Sequence, residues 1–158
     1  MTSESERNKS QDDCERLISS HKTLLMATRS PDGHADISYA PYVREGNSFY
    51  IFVSEMAKHT NNLLAHPEAS ILFIEEEADA CNLFARKRLT LDCQVREVQN
   101  GDPEYVRQLL AMTERFGEIV EVLRTLKDFH LLALTPSRGQ FVAGFGKTFA
   151  LDGNGYLQ

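Results

Sequence analysis

The sequence has no apolar segment close to the roughly 20 residues that a membrane-spanning helix needs. Its first fifteen residues are polar and lack the apolar core of a signal peptide. Cysteine is scarce, because Cys14, Cys81 and Cys93 are the only three and form no CxxC pair. An odd number of widely spaced cysteines excludes a simple disulfide framework and a four-cysteine zinc site, and it fits a reducing compartment. We therefore expect a cytoplasmic protein without a membrane segment.

Positive charge is also in short supply, because 17 Lys and Arg residues face 23 Asp and Glu residues and leave a formal net charge of −6. No basic stripe runs along the chain, so we expect no nucleic-acid partner. A GxGxxG fingerprint is missing too: Gly144 and Gly146 flank Phe145 but open no helix, which disfavours dinucleotide binding of the Rossmann type. The length of 158 residues predicts one domain over 17–158, preceded by a disordered or partly helical lead-in over 1–16.

The sequence does contain a series of short runs in which apolar and polar residues alternate, joined by turn residues, with few helix-like segments between them. Apolar residues recur at helical spacing from Met56 until Pro67 ends the segment. Asp102-Pro103-Glu104 is a strong helix start, and the apolar stripe of the helix that follows breaks near Gly117. No regular alternation of strands and helices is present. The sequence therefore predicts a mainly β protein, a small and mainly antiparallel barrel with a few helices. The strand-like runs are residues 23–28, 35–43, 48–53, 69–75, part of 86–98, 129–134, 140–142 and 148–151.

The junction between the apolar run 48–53 and the next helix is the main candidate site. A helix N-terminus offers unpaired N–H groups and the positive end of the helix dipole. With Ser54, Lys58 and Thr60 added, the junction predicts a seat for a phosphate or carboxylate. His59 is a further candidate contact for a phosphate or carboxylate. The alternative is an ordinary helix start with exposed cations and an exposed His59.

A second group of candidates lies further along the chain. Arg86 and Arg88 are expected on the same face of a strand, where planar guanidinium groups suit the carboxylate or phosphate groups of a ligand. The alternative is a solvated barrel rim whose arginines pair with nearby acids. Asp128 and His130 also share a face by strand period, so the carboxylate is expected beside the imidazole.

Several segments, in this order and spacing, resemble the FMN-binding split-barrel superfamily of pyridoxamine 5′-phosphate oxidase. The closer resemblance is to its haem-utilisation branch, the HugZ/HutZ-like proteins. It extends from about Lys22 to Leu151, and no single motif is diagnostic. The segments that carry it are Ser38-Tyr39-Ala40-Pro41, residues 54–63, residues 83–90, Glu114-Arg115-Phe116-Gly117, Asp128-Phe129 and residues 141–146.

The resemblance implies a six-stranded split barrel, a homodimer, and a ligand site at the dimer interface. In flavin-binding relatives the turn that matches Ser54 to Thr60 holds the FMN phosphate, and Ser38 is carried over as a flavin or interface contact. In haem-utilising relatives an extension beyond the barrel supplies an axial histidine. The acidic residue that matches Asp128 orients that histidine, and the arginine that matches Arg88 assists the oxidative step.

The resemblance predicts a protein that binds haem at a homodimer interface and supports its oxidative degradation. The sequence ends at Gln158, before the position of the axial-histidine extension. If these residues were the whole protein, haem degradation by the family mechanism would be in doubt. Two alternatives therefore stay open: an FMN-binding flavoprotein oxidoreductase, and a haem or flavin carrier without enzymatic activity. The choice between haem and FMN also stays open.

Overall fold

The computed structural model describes residues 2–158, and within them the chain forms a large antiparallel sheet with four α-helices around it. Among these residues no helix combines the length and the apolarity needed to cross a bilayer. The strands are β1 (Thr23–Arg29), β2 (Ala35–Pro41), β3 (Val43–Glu45), β4 (Ser48–Ser54), β5 (Glu68–Ile74), β6 (Arg88–Val98), β7 (Phe129–Gly144) and β8 (Lys147–Asp152). The helices are α1 (Glu4–Ser19), α2 (Lys58–Ala65), α3 (Pro103–Phe116) and α4 (Ile119–Arg124).

The strands lie in the order β2-β1-β5-β6-β7-β4-β3, and β8 pairs with the far half of β7. Every pairing is antiparallel, so the prediction of a mainly β, antiparallel fold is confirmed. The predicted number of six strands is wrong, because the sheet has eight and is not closed. The long strand β7 joins the runs 129–134 and 140–142: its first half pairs with β4 and its second half with β8.

The interior of the curved sheet is the main core, and it is filled by alternate side chains of each strand. In β1 the buried residues are Leu24, Met26 and Thr28, which leaves Leu25 and its alternate neighbours on the outer face. The N-terminal segment, for which the sequence left disorder or partial helix open, forms α1 from Glu4. Its apolar residues join this core. They are Cys14, Leu17 and Ile18.

The helices α3 and α4 cover the outside of the sheet near β4 and β7. Asp102 caps α3 by accepting a hydrogen bond from the Glu104 N–H at 3.0 Å, with Pro103 in the first turn, as its sequence predicts. The predicted break near Gly117 is also confirmed, because α3 ends there at a φ of 91° that suits glycine. Leu109 and Met112 form a second core with residues of the sheet. Those partners are Val43, Tyr50, Val98, Leu131 and Ala133.

Candidate functional site

The turn between β4 and α2 is fastened to the start of β7 by hydrogen bonds. The Ser54 hydroxyl donates to Asp128 Oδ2 at 2.5 Å and accepts from the Met56 N–H at 3.1 Å. The Glu55 N–H donates to the Asp128 carbonyl at 2.9 Å. Asp128 therefore holds the turn in shape, and the hydroxyl proton of Ser54 is already committed to it.

The N-terminus of α2 offers the chemistry that an anion needs. Its capping residue is Ala57, whose side chain accepts no hydrogen bond, and its first turn has no acidic residue. Lys58 is exposed and forms no ion pair within residues 2–158. The free N–H groups of a first helical turn, the dipole and this ammonium group all favour negative charge. His59 is half-buried, and burial lowers its pKa, so it meets a ligand at neutral pH as a neutral imidazole.

Two buried hydroxyl groups near this helix lack a hydrogen-bond partner within residues 2–158. Thr60 is fully buried in α2 and Ser38 is half-buried in β2, and neither Oγ atom is paired. The helix and the strand pack on each other: the Asn62 amide donates to Thr28 Oγ1 at 3.0 Å and to Asp36 Oδ2 at 2.8 Å. Because buried hydroxyl groups are normally paired, two orphans on neighbouring elements support a ligand contact here. We call residues 54–60, together with Ser38, the α2 end.

The two arginines do not share a strand, which corrects the expected arrangement. The strand β6 begins at Arg88, so Arg86 lies before it. Arg86 Nε and Nη2 donate to the Glu75 carbonyl at 3.1 and 2.5 Å, which commits that guanidinium to the preceding loop. Arg88 Nη1 donates to the Arg86 carbonyl at 3.1 Å, and its guanidinium contacts no carboxylate within residues 2–158. We call residues 86–88 the arginine end.

The α2 end and the arginine end lie at opposite ends of β7. Ser54 pairs with Phe129 at the start of this strand, whereas Arg88 pairs with Val142, thirteen residues further along. At about 3.3 Å per residue this is roughly 40 Å along the strand, although bending shortens the direct distance. A single copy of the chain therefore does not gather all the predicted ligand contacts into one pocket.

The outer face of β1 and β2 carries apolar side chains in contact with solvent. Ile37 is 88% exposed and Tyr39 is 62% exposed. Pairing aligns Tyr39 with Leu25 and then Leu72, which extends this apolar strip across the sheet. The opposite face of β2, with Asp36 and Ser38, turns toward α2. The alternation of β2 indicated these two faces, but it did not reveal that the apolar one is outermost.

Asp128 and His130 do not contact each other as their spacing suggested. Asp128 bonds to Ser54, whereas His130 lies between two carboxylates: Nδ1 contacts Glu97 Oε2 and Nε2 lies 2.7 Å from Glu55 Oε1. Burial alone lowers the pKa of His130, but the hydrogen bonds and charges of these two glutamates outweigh it and raise the pKa. No sequence spacing signals this cluster, because the register of β4, β6 and β7 creates it.

The sequence also matches known proteins. The Pyridoxamine 5'-phosphate oxidase family matches residues 10–143, most of the chain. The chain belongs to this family. A Vibrio cholerae protein, Heme oxygenase HutZ, is 41% identical over 133 residues, which are 84% of this chain and 76% of that protein. This similarity places the chain in the haem-utilisation branch of the family, so the resemblance seen in the sequence is confirmed.

Solved structures of this branch share the fold. The crystal structure of Vibrio cholerae HutZ, described as a heme storage protein, has a TM-score of 0.74 at 38% identity, over 79% of this chain and 88% of that one. Campylobacter jejuni ChuZ has a TM-score of 0.84 at 28% identity, over 96% of this chain and 62% of that one. The chain thus spans less than two thirds of ChuZ.

Proposed function

We propose that two copies of this chain bind haem at a shared interface and support its oxidative degradation. The observation that carries the proposal is the separation of the α2 end from the arginine end, with an apolar outer face on the sheet. When a two-fold axis brings two sheets together, the α2 end of one copy can meet the arginine end of the other. One relative, Vibrio cholerae HutZ, is described both as a heme oxygenase and as a heme storage protein, and it supports haem as the ligand.

The residues fit a planar molecule with acidic groups. Haem has an apolar ring and two carboxylates, so it needs apolar walls and a few well-placed cations. Arg88 can pair with one propionate, because its guanidinium uses Nη1 for the Arg86 carbonyl and contacts no carboxylate within residues 2–158. Lys58 and the unpaired Thr60 and Ser38 hydroxyl groups suit a second acidic group. Arg86 contributes less directly, because it holds the loop that precedes Arg88.

In this proposal haem is the substrate, and its iron activates oxygen once a reductant supplies electrons. The chain itself positions the ring, neutralises the propionates and excludes water from the interface. Asp128 acts through the turn that it fixes, and its carboxylate is also the group that the family resemblance assigns to orienting an axial histidine. His130 does not serve as that histidine here, because both of its ring nitrogens contact carboxylates.

Haem titration of the purified protein tests the proposal. A saturable Soret band with one or two haems per pair of chains supports binding at the interface. Adding ascorbate in the presence of oxygen then separates an enzyme from a carrier. Loss of the Soret band together with release of iron identifies oxidative degradation, whereas a stable haem spectrum identifies a carrier. Absence of saturable haem binding would overturn the proposal.

FMN is the second candidate ligand, and the α2 end favours it. A helix N-terminus with an adjacent lysine and a buried threonine is suited to a phosphate monoester. Binding would make the protein a flavoprotein oxidoreductase. Quenching of FMN fluorescence by the protein, with no saturable change in the Soret band after haem addition, would establish this alternative in place of haem. The three free cysteines are compatible with a cytoplasmic location for either function.

A further inference from the structure

The cluster of Glu55, His130 and Glu97 joins three elements beside the α2 end. His130 lies near the start of β7, Glu97 near the end of β6, and Glu55 directly after Ser54 in the turn. The imidazole is mostly buried, with 18% of its side chain exposed. Glu55 and Glu97 are the charged groups that contact the ring. The facing β4 residue, Val53, has no charge, and Asp128 is committed to Ser54.

The two contacts of His130 require a particular protonation state. A neutral imidazole has one N–H, so it can donate to only one carboxylate, and the other nitrogen would place a lone pair against negative oxygen atoms. Only the imidazolium form donates to both Glu55 and Glu97. The two glutamates raise the pKa of His130, although burial opposes them, which agrees with this geometry.

The position of Glu55 makes this protonation state important for ligand binding. Its carboxylate lies close in sequence to the uncapped N-terminus of α2, where a negative side chain is favoured by the dipole and the free N–H groups. Its backbone is fixed, because the Asn61 amide donates to the Glu55 carbonyl at 2.9 Å. Only the side chain is free to change partner. While it is bound to His130, the helix N-terminus and Lys58 stay available to another anion.

We propose that the His130 imidazolium is a positioning residue that keeps the Glu55 carboxylate away from the α2 end, so that an acidic ligand binds there more tightly when His130 is protonated. This inference rests on the proposed function, because it concerns the same anion site. Loss of the proton releases Glu55 and changes the net charge of the cluster from −1 to −2. Both effects oppose an anion, so its affinity falls as the pH rises.

The test measures sulfate and haem affinity for the whole protein between about pH 6 and pH 8. Sulfate is chosen because its charge is constant over this range. We expect each affinity to fall at least about fivefold across it, the low end of usual coupling free energies. Glu55→Gln should lose most of this pH dependence, because no released carboxylate can compete for the site, and it should bind at least as tightly as the native protein at the lower pH. Glu97→Gln should move the midpoint to lower pH, because His130 then has one carboxylate fewer. His34→Gln, in an exposed turn, is the matched control and should keep the native slope.

A histidine NMR titration provides a readout that a purely structural role would not change. By linkage, a ligand that binds better to the protonated form must raise the pKa of His130, so sulfate should shift this titration upward in the native protein and much less in Glu55→Gln. Affinity that is independent of pH, or an unchanged slope in Glu55→Gln, would overturn this inference and leave haem binding intact. Failure to bind either anion at any pH would overturn the anion site and this inference with it.

Discussion

The α2 end and the arginine end recognise negative charge by different means. At the α2 end the backbone contributes the helix dipole and free N–H groups, and the shape depends on a bonded turn between Ser54 and Asp128. At the arginine end one side chain, Arg88, extends from the first residue of a strand, and within residues 2–158 its guanidinium donates to the Arg86 carbonyl and forms no ion pair. The backbone site is therefore expected to tolerate single substitutions, whereas the side-chain site depends on one guanidinium group.

The largest expected effect comes from preventing the two ends from meeting. In Ile37→Glu a charge replaces an apolar side chain on the outer face, and pairing of two sheets through that face would have to bury this charge. We expect light scattering to show a mass near 17.9 kDa, where the native protein should show about twice that value, and haem binding should be lost. Val122→Glu, on the exposed surface of α4, is the control and should remain dimeric. A dimeric Ile37→Glu protein with native haem affinity would contradict the shared site.

Removal of the guanidinium group tests the arginine end alone. We expect Arg88→Ala to weaken haem binding at least about tenfold, or about 1.4 kcal/mol, with little change in the thermal midpoint. Arg88→Lys should recover part of the affinity, because it restores the charge without the planar fork. Arg86→Ala should instead lower the thermal midpoint and change haem affinity less, since the bonds of Arg86 to the Glu75 carbonyl stabilise the loop. Equal haem affinity in Arg88→Ala and the native protein would remove Arg88 from the site.

The sequence predicted those parts that depend on local patterns. Alternation identified the strands, and Asp102 with Gly117 marked the two ends of α3 correctly. The strand-to-helix turn at Ser54 was also located, because an aromatic and β-branched run ends there. The division of the chain into strands was less predictable: residues 35–43 divide into β2 and β3, whereas the runs 129–134 and 140–142 form the single strand β7, which pairs with β4 and then β8.

Contacts across strands could not be predicted from spacing. Period two placed Asp128 beside His130, yet the turn gives Asp128 a nearer partner in Ser54. His130 contacts Glu97 because β6 and β7 pair in a particular register, which the sequence does not state. Arg86 was expected on the strand, but its bonds to Glu75 hold it in the loop. These differences arise from tertiary hydrogen bonds that outweigh local periodicity.

A smaller effect is expected from removing one hydroxyl group at the α2 end. Thr60→Val keeps the shape of the side chain and removes a buried oxygen that has no partner. Ligand-free stability should stay equal or rise, because an unpaired buried hydroxyl is costly, while haem affinity should fall by roughly 1 kcal/mol. Thr28→Val is the matched control: its hydroxyl accepts from Asn62, so its loss should lower the thermal midpoint. A loss of stability in Thr60→Val without a change in affinity would mean that the hydroxyl serves the fold.

The smallest expected effect is a pH dependence of the free energy of unfolding, which comes from the contacts of His130 with Glu55 and Glu97 beside the α2 end. The pKa of His130 is raised in the folded protein, mainly because Glu55 and Glu97 outweigh the effect of burial. A raised folded pKa stabilises the fold fully below the unfolded value of about 6.5, and this contribution is lost as the pH rises through the folded pKa. Urea unfolding should therefore show that His130→Gln is less stable than the native protein near pH 5.5, with a difference that shrinks toward pH 8.5. The arginine end has no such histidine contact, so Arg88→Ala should show the same difference from the native protein at both pH values. A constant gap for His130→Gln would show that its imidazole stabilises the turn by packing and not by charge.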